Sequence, residues 1–203
     1  MKALDLFCGL GGWSDGLAAE GFEVLGVEIE PMIAELYKHP VIIEDVRNLD
    51  PEECKGHDLI VGSPPCRDFS KFALSVGKRW KDPPNPERGL ELVKAFLNIV
   101  EVAQPRYWLM ENVPKLREYL ELPPRGIVRL SKQRYRCFWG NYPAFLVPSK
   151  HDLPNMTLHA GEDHTTRTKG KLAKWVNAYI PETVSRALGK AVMSQITNKE
   201  GVE

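Results

Sequence analysis

The sequence lacks a long apolar run, since no stretch approaches the roughly 18 to 20 residues that a membrane-spanning helix needs. Its first residues, MKALDLFCGLGG, have too short an apolar stretch and too many glycines for a secretory signal. Internal repeats and low-complexity tracts are also missing. We therefore expect a cytoplasmic protein that makes no contact with a membrane.

Cysteine is scarce and poorly spaced for a metal site. The chain has four cysteines: Cys8, Cys54, Cys66 and Cys137. Because none of them forms a CxxC pair, neither a zinc site nor a redox motif is indicated, and we expect reduced thiols. The irregular spacing of His151, His159 and His164 favours solvated loop histidines over metal ligands.

An excess of charge of one sign is absent from the chain as a whole, but not from its parts. The 203 residues are 43% hydrophobic and 27% charged, as in one globular domain of ordinary size, and the net charge is zero. Residues 1–124 hold 14 basic and 21 acidic side chains, whereas residues 125–175 hold 10 basic and 3 acidic ones. This asymmetry is expected if one face meets a polyanion, although a solvated basic loop would give the same pattern.

Short β-like runs alternate with helix-like runs over the first 110 residues, which is typical of a parallel sheet covered on both faces. We predict strands at 2–7, 23–27, 41–43, 58–61 and 107–110, then at 126–130 and 134–139. We predict helices at 13–20, 31–37, 90–102 and 181–194. Prolines predict a long functional loop between Gly62 and Arg88. The expected fold is α/β: a doubly wound, mostly parallel sheet with a small irregular basic appendage.

A glycine-rich turn follows the first predicted strand, in Asp5-Leu-Phe-Cys-Gly-Leu-Gly-Gly12. Such a turn lets a nucleotide-like ligand lie against the backbone beside a helix N-terminus. Glu28, 17 residues beyond Gly11, ends the second strand where a ribose hydroxyl is bound in such folds, and Asp45 follows the third. The pattern lacks a full GxGxxG, which favours a nucleoside cofactor without a pyrophosphate; a purely structural turn is the alternative.

A second candidate site is Ser63-Pro-Pro-Cys-Arg-Asp-Phe-Ser70, directly after the fourth strand. Two prolines restrict Cys66, and the basic neighbours Arg67 and Lys71 favour its thiolate, so a nucleophile is expected here. The alternative is a buried, inert cysteine, which is what we expect of the other three.

Glu111 and two arginines complete the candidate residues. Adjacent parallel strands would bring Glu111 and Cys66 to the same edge of the sheet, where a carboxyl group that keeps its proton would bond a ring nitrogen. A helix cap is the alternative use of Glu111. Arg134 and Arg136 project from the same face of a strand and could together hold a phosphate or a base carbonyl. The alternative is that both are solvated surface residues.

Taken together and in this order, these segments resemble the C5-cytosine DNA methyltransferase family. The matching motifs are DLFxGxGG at Asp5–Gly12, PPCxxFS at Pro64–Ser70, the RG pair at Arg88-Gly89, ENV at Glu111–Val113 and RxR at Arg134–Arg136. The match covers most of residues 1–140, and the joint order is far more specific than any single motif.

The resemblance implies a Rossmann-like methyltransferase fold that uses S-adenosylmethionine and methylates C5 of cytosine in DNA. Cys66 would attack C6 of a flipped-out cytosine, Glu111 would bond N3, and Arg134 and Arg136 would hold the base and its phosphate. The implied cofactor residues are Phe7 on the adenine, Gly9, Leu10, Gly11 and Gly12 at the methionine end, Glu28 on the ribose with Ile29 beside it, Asp45 on the adenine amino group with Val46 beside it, and Pro65 and Asn177.

The chain also departs from the family pattern. Arg67 stands where glutamine is common after the cysteine, and QxRxR is compressed to Gln133-Arg134-x-Arg136. Phe138–Pro143 is similar to the FWGNxP string of the de novo animal branch. Asn177-Ala178 with Pro181 resembles the GNAVPP segment without its leading glycine.

The region available for target recognition is short. We expect a catalytic and cofactor-binding domain at 1–143, a basic recognition-like segment at 144–174 and a C-terminal helix at 175–203 that returns to the catalytic domain. The residues expected on nucleic acid are Arg67, Ser70, Lys150, Arg167, Lys169 and Lys171. So few side chains predict weak or short sequence specificity, or a second copy or partner subunit that supplies recognition. Alternatives are a methyltransferase that acts on tRNA and a catalytically weak DNA-binding subunit.

Overall fold

The computed structural model describes residues 1–70, 82–131, 134–147, 175 and 178–200. The strands in these residues are β1 Lys2–Leu6, β2 Glu23–Glu28, β3 Val41–Ile43, β4 Leu59–Gly62, β5 Tyr107–Asn112, β6 Gly126–Ser131 and β7 Arg134–Asn141. The α-helices are α1 Gly12–Ala19, α2 Pro31–Ala34, α3 Pro86–Ala103 and α4 Glu182–Glu200.

The strands form one sheet in the order β3-β2-β1-β4-β5-β7-β6. Strands β1 to β5 are parallel, and β7 is antiparallel to both of its neighbours, β5 and β6. The predicted doubly wound, mostly parallel sheet is therefore confirmed. Strand order reverses between β1 and β4, and ligands of such sheets bind beyond the carboxyl ends of the strands at this switch point.

The sheet is buried on both faces, as the apolar runs of its central strands require. In β4, Leu59 and Val61 point into the core shared with α1 and α4, whereas Ile60 points into the core shared with α3. Both cores are closely packed around fully buried side chains such as Phe96 and Leu17. The sheet is thus a rigid platform for the loops at its carboxyl edge.

The prolines after β4 do not keep the whole segment irregular, so the predicted loop limit at Arg88 was wrong. Asn85 caps α3, because its side-chain oxygen accepts hydrogen bonds from the main-chain N–H groups of Glu87 and Arg88. Pro86 is the first helical residue, where a proline has no N–H to satisfy. Pro86 therefore begins the helix, whereas its sequence context predicted irregular structure.

Short 3₁₀ helices were also missed. They lie at Val46–Asn48, Pro51–Cys54, Arg67–Phe69 and Pro114–Glu118. Asp45 and Asp50 cap the first two, since each carboxylate accepts a main-chain N–H two residues further on.

Helix α4 packs against α1 at very short range, which glycines make possible. A Cβ on Gly12 would lie 2.6 Å from the main-chain nitrogen of Ile180, and one on Gly16 would lie 2.7 Å from that of Arg186. The chain after residue 178 therefore contacts the helix that follows the glycine turn. Among the residues that the structure describes, none of the helices combines the length and the hydropathy of a membrane span.

Candidate active site

The glycine turn after β1 has an unusual backbone. Phe7, Gly9 and Gly11 all have positive φ, at 62°, 54° and 87°. A side chain at Gly11 would meet the ring of Tyr37 at 3.3 Å, so the turn needs glycine there for space as well as for conformation. For Phe7 the left-handed conformation costs on the order of 1–3 kcal/mol, a kind of strain that clusters at ligand sites.

Glu28 fixes the turn to the end of β2. Its side chain is buried, with Oε2 accepting from the Gly9 N–H at 3.0 Å and Oε1 accepting from the Glu30 N–H at 2.9 Å. The two main-chain N–H groups hold the carboxylate at the carboxyl end of β2, where the sequence predicts a ribose contact. Its placement therefore fits the predicted ribose contact.

Asp45 lies at the carboxyl end of β3 and is engaged by Arg47. The guanidinium of Arg47 reaches Asp45 Oδ2 at 2.5 Å, and this contact lowers the pKa of Asp45 below its ordinary value. The neighbouring Val46 is buried, whereas Ile29, after β2, is 60% exposed at this end of the sheet. Asp45 and Ile29 thus follow neighbouring strands at the carboxyl edge of the sheet.

Asp5 begins the first motif, and no role of its own was predicted for it. It is fully buried at the end of β1, and Ser14 Oγ donates a 2.6 Å hydrogen bond to its Oδ2. Its Oδ1 has no hydrogen-bond partner among the described residues. Burial raises the pKa of Asp5 to about 7, against the opposing effect of Ser14. An acidic residue inside an apolar strand was the available signal.

The cysteine loop begins where β4 meets β1. A Cβ on Gly62 would lie 2.6 Å from the Leu6 carbonyl oxygen, so the two strand ends approach through glycine. Trp13 Nε1–H donates to Ser63 Oγ at 3.0 Å, which links α1 to the loop. Cys66 then precedes the 3₁₀ helix Arg67–Phe69 and is partly exposed.

The other three cysteines are buried, as predicted. Burial raises the pKa of the thiols of Cys8, Cys54 and Cys137, so they are poor nucleophiles. Arg67 was expected to favour the Cys66 thiolate, but its Nη1 lies 2.7 Å from Asp82 Oδ2, and Lys71 lies outside the described residues.

Glu111 and the cysteine loop meet at the same edge of the sheet. Strands β4 and β5 pair in parallel with Gly62 opposite Met110, and Glu111 is the next residue of β5. Asn112 Nδ2–H donates to the Pro64 carbonyl oxygen at 2.9 Å, inside the protein. The structure therefore joins the ENV segment directly to the PPC segment.

Arg136 forms a buried ion pair with Glu111, with 2.6 Å between Nε and Oε1. Both side chains are at least nine-tenths buried. A protonated Glu111 and an arginine on substrate were expected from the sequence, whereas the direct contact between these two side chains was not. The backbone of Arg134 lies opposite Ser131 in the β6–β7 pair.

The remaining predicted residues divide into two sets. Leu10 and Ser70 are half-buried, and Pro65 is exposed beside Cys66. The side chain of Arg134 and the residues Lys150, Arg167, Lys169, Lys171 and Asn177 lie outside what the structure describes, so their roles stay predictions.

The strand order and the loops at the switch point define a Rossmann-like methyltransferase fold. A protein described as a DNA modification methyltransferase encoded within an E. coli prophage has a TM-score of 0.50 at 27% identity, over 70% of this chain and 46% of that one. The Entamoeba histolytica methyltransferase EhMeth has a TM-score of 0.51 at 17% identity, over 71% and 54%, which shows the fold alone.

Residues 1–126 match the model of the family described as C-5 cytosine-specific DNA methylase, and the chain belongs to this family. It is 35% identical to the type II methyltransferase M1.HphI of Haemophilus parahaemolyticus over 125 residues, which are 56% of this chain and 32% of that protein. It is 35% identical to M.HgiGI of Herpetosiphon aurantiacus over 129 residues, 58% of this chain and 94% of that protein. The match thus spans about a third of the length of M1.HphI.

Proposed function

We propose that this chain transfers a methyl group from S-adenosylmethionine to C5 of cytosine in DNA, through a covalent adduct between Cys66 and C6. The observation that carries the proposal is the hydrogen bond from Asn112 to Pro64, which ties the strand end bearing Glu111 to the loop bearing Cys66. A thiol and a carboxyl group at one sheet edge suit a reaction in which both act on one pyrimidine ring.

Cys66 supplies the nucleophile. Its thiolate sulfur forms a bond to C6, the electrons of the C5–C6 double bond move to C5, and C5 becomes nucleophilic. The cofactor, when bound, would supply the electrophilic methyl group that C5 takes and would leave as S-adenosylhomocysteine. A water molecule then takes the C5 proton, the C5–C6 double bond re-forms, and the sulfur leaves as thiolate, so the enzyme returns to its starting state.

Glu111 binds the opposite side of the ring in this scheme, at N3 of the cytosine. The ion pair with Arg136 holds the carboxylate in place before a base enters. As the base enters, Glu111 takes up a proton from solvent and donates it in a hydrogen bond to N3, which draws electron density from C6 and makes it more electrophilic. The proton returns to solvent when the product leaves. Arg136 thus orients Glu111, and we assign Arg134 to the base or its phosphate.

The residues around the glycine turn fit S-adenosylmethionine. Glu28 offers carboxylate oxygens for the ribose, the Gly9–Gly12 turn offers close backbone approach, and Asp45 offers an acceptor for an amino group. The buried Oδ1 of Asp5, without a partner among the described residues, adds an acceptor beneath the turn. Phe7 supplies an aromatic surface for the adenine.

Membership of this family favours DNA as the substrate. Because region 144–174 is short, we expect weak sequence specificity, or recognition supplied by a second copy or a partner subunit. A structured RNA is the second candidate, because a loop cytosine needs little flipping and no large recognition domain. Labelled methyl transfer into duplex DNA, single-stranded DNA and tRNA separates these substrates, and preference for tRNA would overturn the DNA assignment.

Bisulfite sequencing of DNA from cells that express the chain tests the proposal. We expect protected cytosines with the wild type and with Cys54→Ser, a matched change of a buried cysteine away from the site, but none with Cys66→Ser. Equal protection with Cys66→Ser would show that Cys66 is not the nucleophile.

A further inference from the structure

Two acidic and two basic side chains form an ion-pair network directly after Cys66, which we call the Asp68–Arg88 network. Its members are Arg67, Asp68, Asp82 and Arg88. Arg88 Nη2 lies 2.8 Å from Asp68 Oδ1, Arg88 Nη1 lies 2.7 Å from Asp82 Oδ1, and Arg67 Nη1 lies 2.7 Å from Asp82 Oδ2. The network joins the cysteine loop to the first turn of α3.

Asp68 is the centre of the network, because its side chain is only 9% exposed whereas Asp82 is 56% exposed. Its Oδ2 accepts from Arg88 Nε at 3.2 Å, and its Oδ1 also accepts the main-chain N–H of Asn85, the cap of α3, at 2.9 Å. Removing the partner of a buried carboxylate strongly destabilises the folded protein, because the charge is left buried and unpaired. Exposed ion pairs contribute little to stability. Arg88 and Asp68 therefore carry the network, and Arg67 and Asp82 extend it.

The residue after Arg88 reinforces the same contact. A Cβ on Gly89 would lie 2.7 Å from the ring of Phe69 and 3.0 Å from Cβ of Asp68. Phe69 is fully buried in the core that the sheet shares with α3. Both residues of the Arg88-Gly89 pair thus serve one purpose: the arginine binds the aspartate of the loop, and the glycine lets the loop approach the helix.

One 3₁₀ turn of backbone connects the contact between Asp68 and Arg88 to Cys66. The main-chain N–H of Phe69 donates to the Cys66 carbonyl oxygen at 3.1 Å, which closes the 3₁₀ turn. Because α3 fixes Asp68 and Phe69, it also fixes the turn that begins at Cys66. Pro64 fixes the other side, through Asn112.

We propose that Asp68 and Arg88 are positioning residues for Cys66: the buried contact between them holds the turn that aims the thiol at the sheet edge where Glu111 lies. The inference rests on the proposed function, in which Cys66 is the nucleophile. Loss of the contact lets the turn leave its productive geometry, and a displacement of about 1 Å at a nucleophile costs on the order of a hundredfold in rate. The cofactor contacts assigned to the ends of β1, β2 and β3 lie outside this turn and are left intact.

The test is alkylation of the four thiols by iodoacetamide, read residue by residue by mass spectrometry, beside methyl-transfer kinetics. The variants are Asp68→Asn, Arg88→Gln and Arg88→Lys. The matched control is Arg186→Gln, which removes an ion pair of similar exposure with Glu20 on the surface of α1 and α4. Arg88→Lys keeps the charge but loses the planar fork that reaches two carboxylates.

In Asp68→Asn and Arg88→Gln we expect Cys66 to be alkylated about tenfold faster and kcat to fall at least about tenfold, with the KM for the cofactor unchanged. Arg88→Lys should lie between them and the wild type, and Arg186→Gln should match the wild type. Cys8, Cys54 and Cys137 should stay slow, which shows that the effect is local and not general unfolding.

Alkylation of Cys66 within about twofold of the wild type, or equal acceleration of all four thiols, would overturn the positioning role. The alkylation measurement needs no substrate. A wild type without methyl transfer would therefore count against the proposed function, while the thiol rates still decide the role of Asp68 and Arg88.

Discussion

The side-chain amide of Asn112 donates a 2.9 Å hydrogen bond to the main-chain carbonyl oxygen of Pro64. The two residues are 48 positions apart in the chain, and Asn112 is fully buried. The oxygen of the same amide accepts the N–H of Val113 at 2.8 Å. One side chain thus fixes both the turn after Glu111 and the loop before Cys66.

Asn112→Ala leaves the Pro64 carbonyl oxygen without this donor in the protein interior. We expect the free energy of unfolding to fall by about 1–3 kcal/mol and methyl transfer to fall more than stability accounts for. Urea unfolding and initial rates measure both. Asn141→Ala is the control, since Asn141 donates to the Arg106 carbonyl oxygen at 3.2 Å in an exposed position. Equal losses of stability and of methyl transfer in the two variants would show that Asn112 does not specifically support the Cys66 loop.

Arg136→Met leaves the Glu111 carboxylate buried beside an apolar side chain. Removing one partner of a buried ion pair costs about 3–5 kcal/mol. Adding Glu111→Gln to the same chain should recover part of that loss, because an amide is cheaper to bury than an unpaired charge. A double-mutant cycle from urea unfolding measures the coupling. Strictly additive losses would show that the two groups do not interact in solution.

Asp5 predicts a pH dependence of stability. Its pKa is raised from 3.8 to about 7 by burial, so between these pH values the folded protein holds a proton that the unfolded chain has released. This contribution is complete below pH 3.8 and is lost as the pH rises to about 7, by on the order of 4 kcal/mol in all.

Asp5→Asn removes that proton equilibrium while keeping an acceptor for Ser14. Relative to the wild type, we expect the variant to gain stability as the pH rises from about 5 to about 7, and then to keep a constant difference. Urea unfolding across this range gives the answer. If the difference in unfolding free energy between the two proteins does not change with pH, Asp5 does not titrate in this pH range.

Gly16→Ala places a methyl group 2.7 Å from the main-chain nitrogen of Arg186 and against the side chain of Ser185. Since backbone atoms of α4 cannot move independently, we expect a loss of about 1–3 kcal/mol in stability. Ala19→Ser, on the exposed side of the same helix, is the control. Thermal unfolding of both variants tests whether α4 packs on α1 this closely, and an unchanged Tm in Gly16→Ala would show that it does not.

The sequence predicted the sheet because its signals are local: apolar runs bounded by glycine and proline. Strand β3 has the predicted limits, whereas β5 extends two residues further, to Asn112, since β7 pairs with Glu111 and Asn112. The sequence motifs also placed Cys66 and Glu111 at the sheet edge.

Contacts between distant side chains were not predictable in the same way. The Glu111–Arg136 pair and the Asp68–Arg88 pair depend on strand register and on where α3 begins, and spacing in the chain reports neither. The same holds for the buried Asp5, whose environment includes Ser14 and Tyr37 from two other segments.

The central claim is that Cys66 becomes bonded to a cytosine ring. The most direct measurement is peptide mapping by mass spectrometry after incubation of the chain with 5-fluorocytosine DNA and S-adenosylmethionine, because fluorine at C5 blocks the final elimination. We expect a stable adduct on the peptide that contains Cys66, and none with Cys66→Ser. An adduct on another residue, or methylated DNA without any adduct, would contradict it.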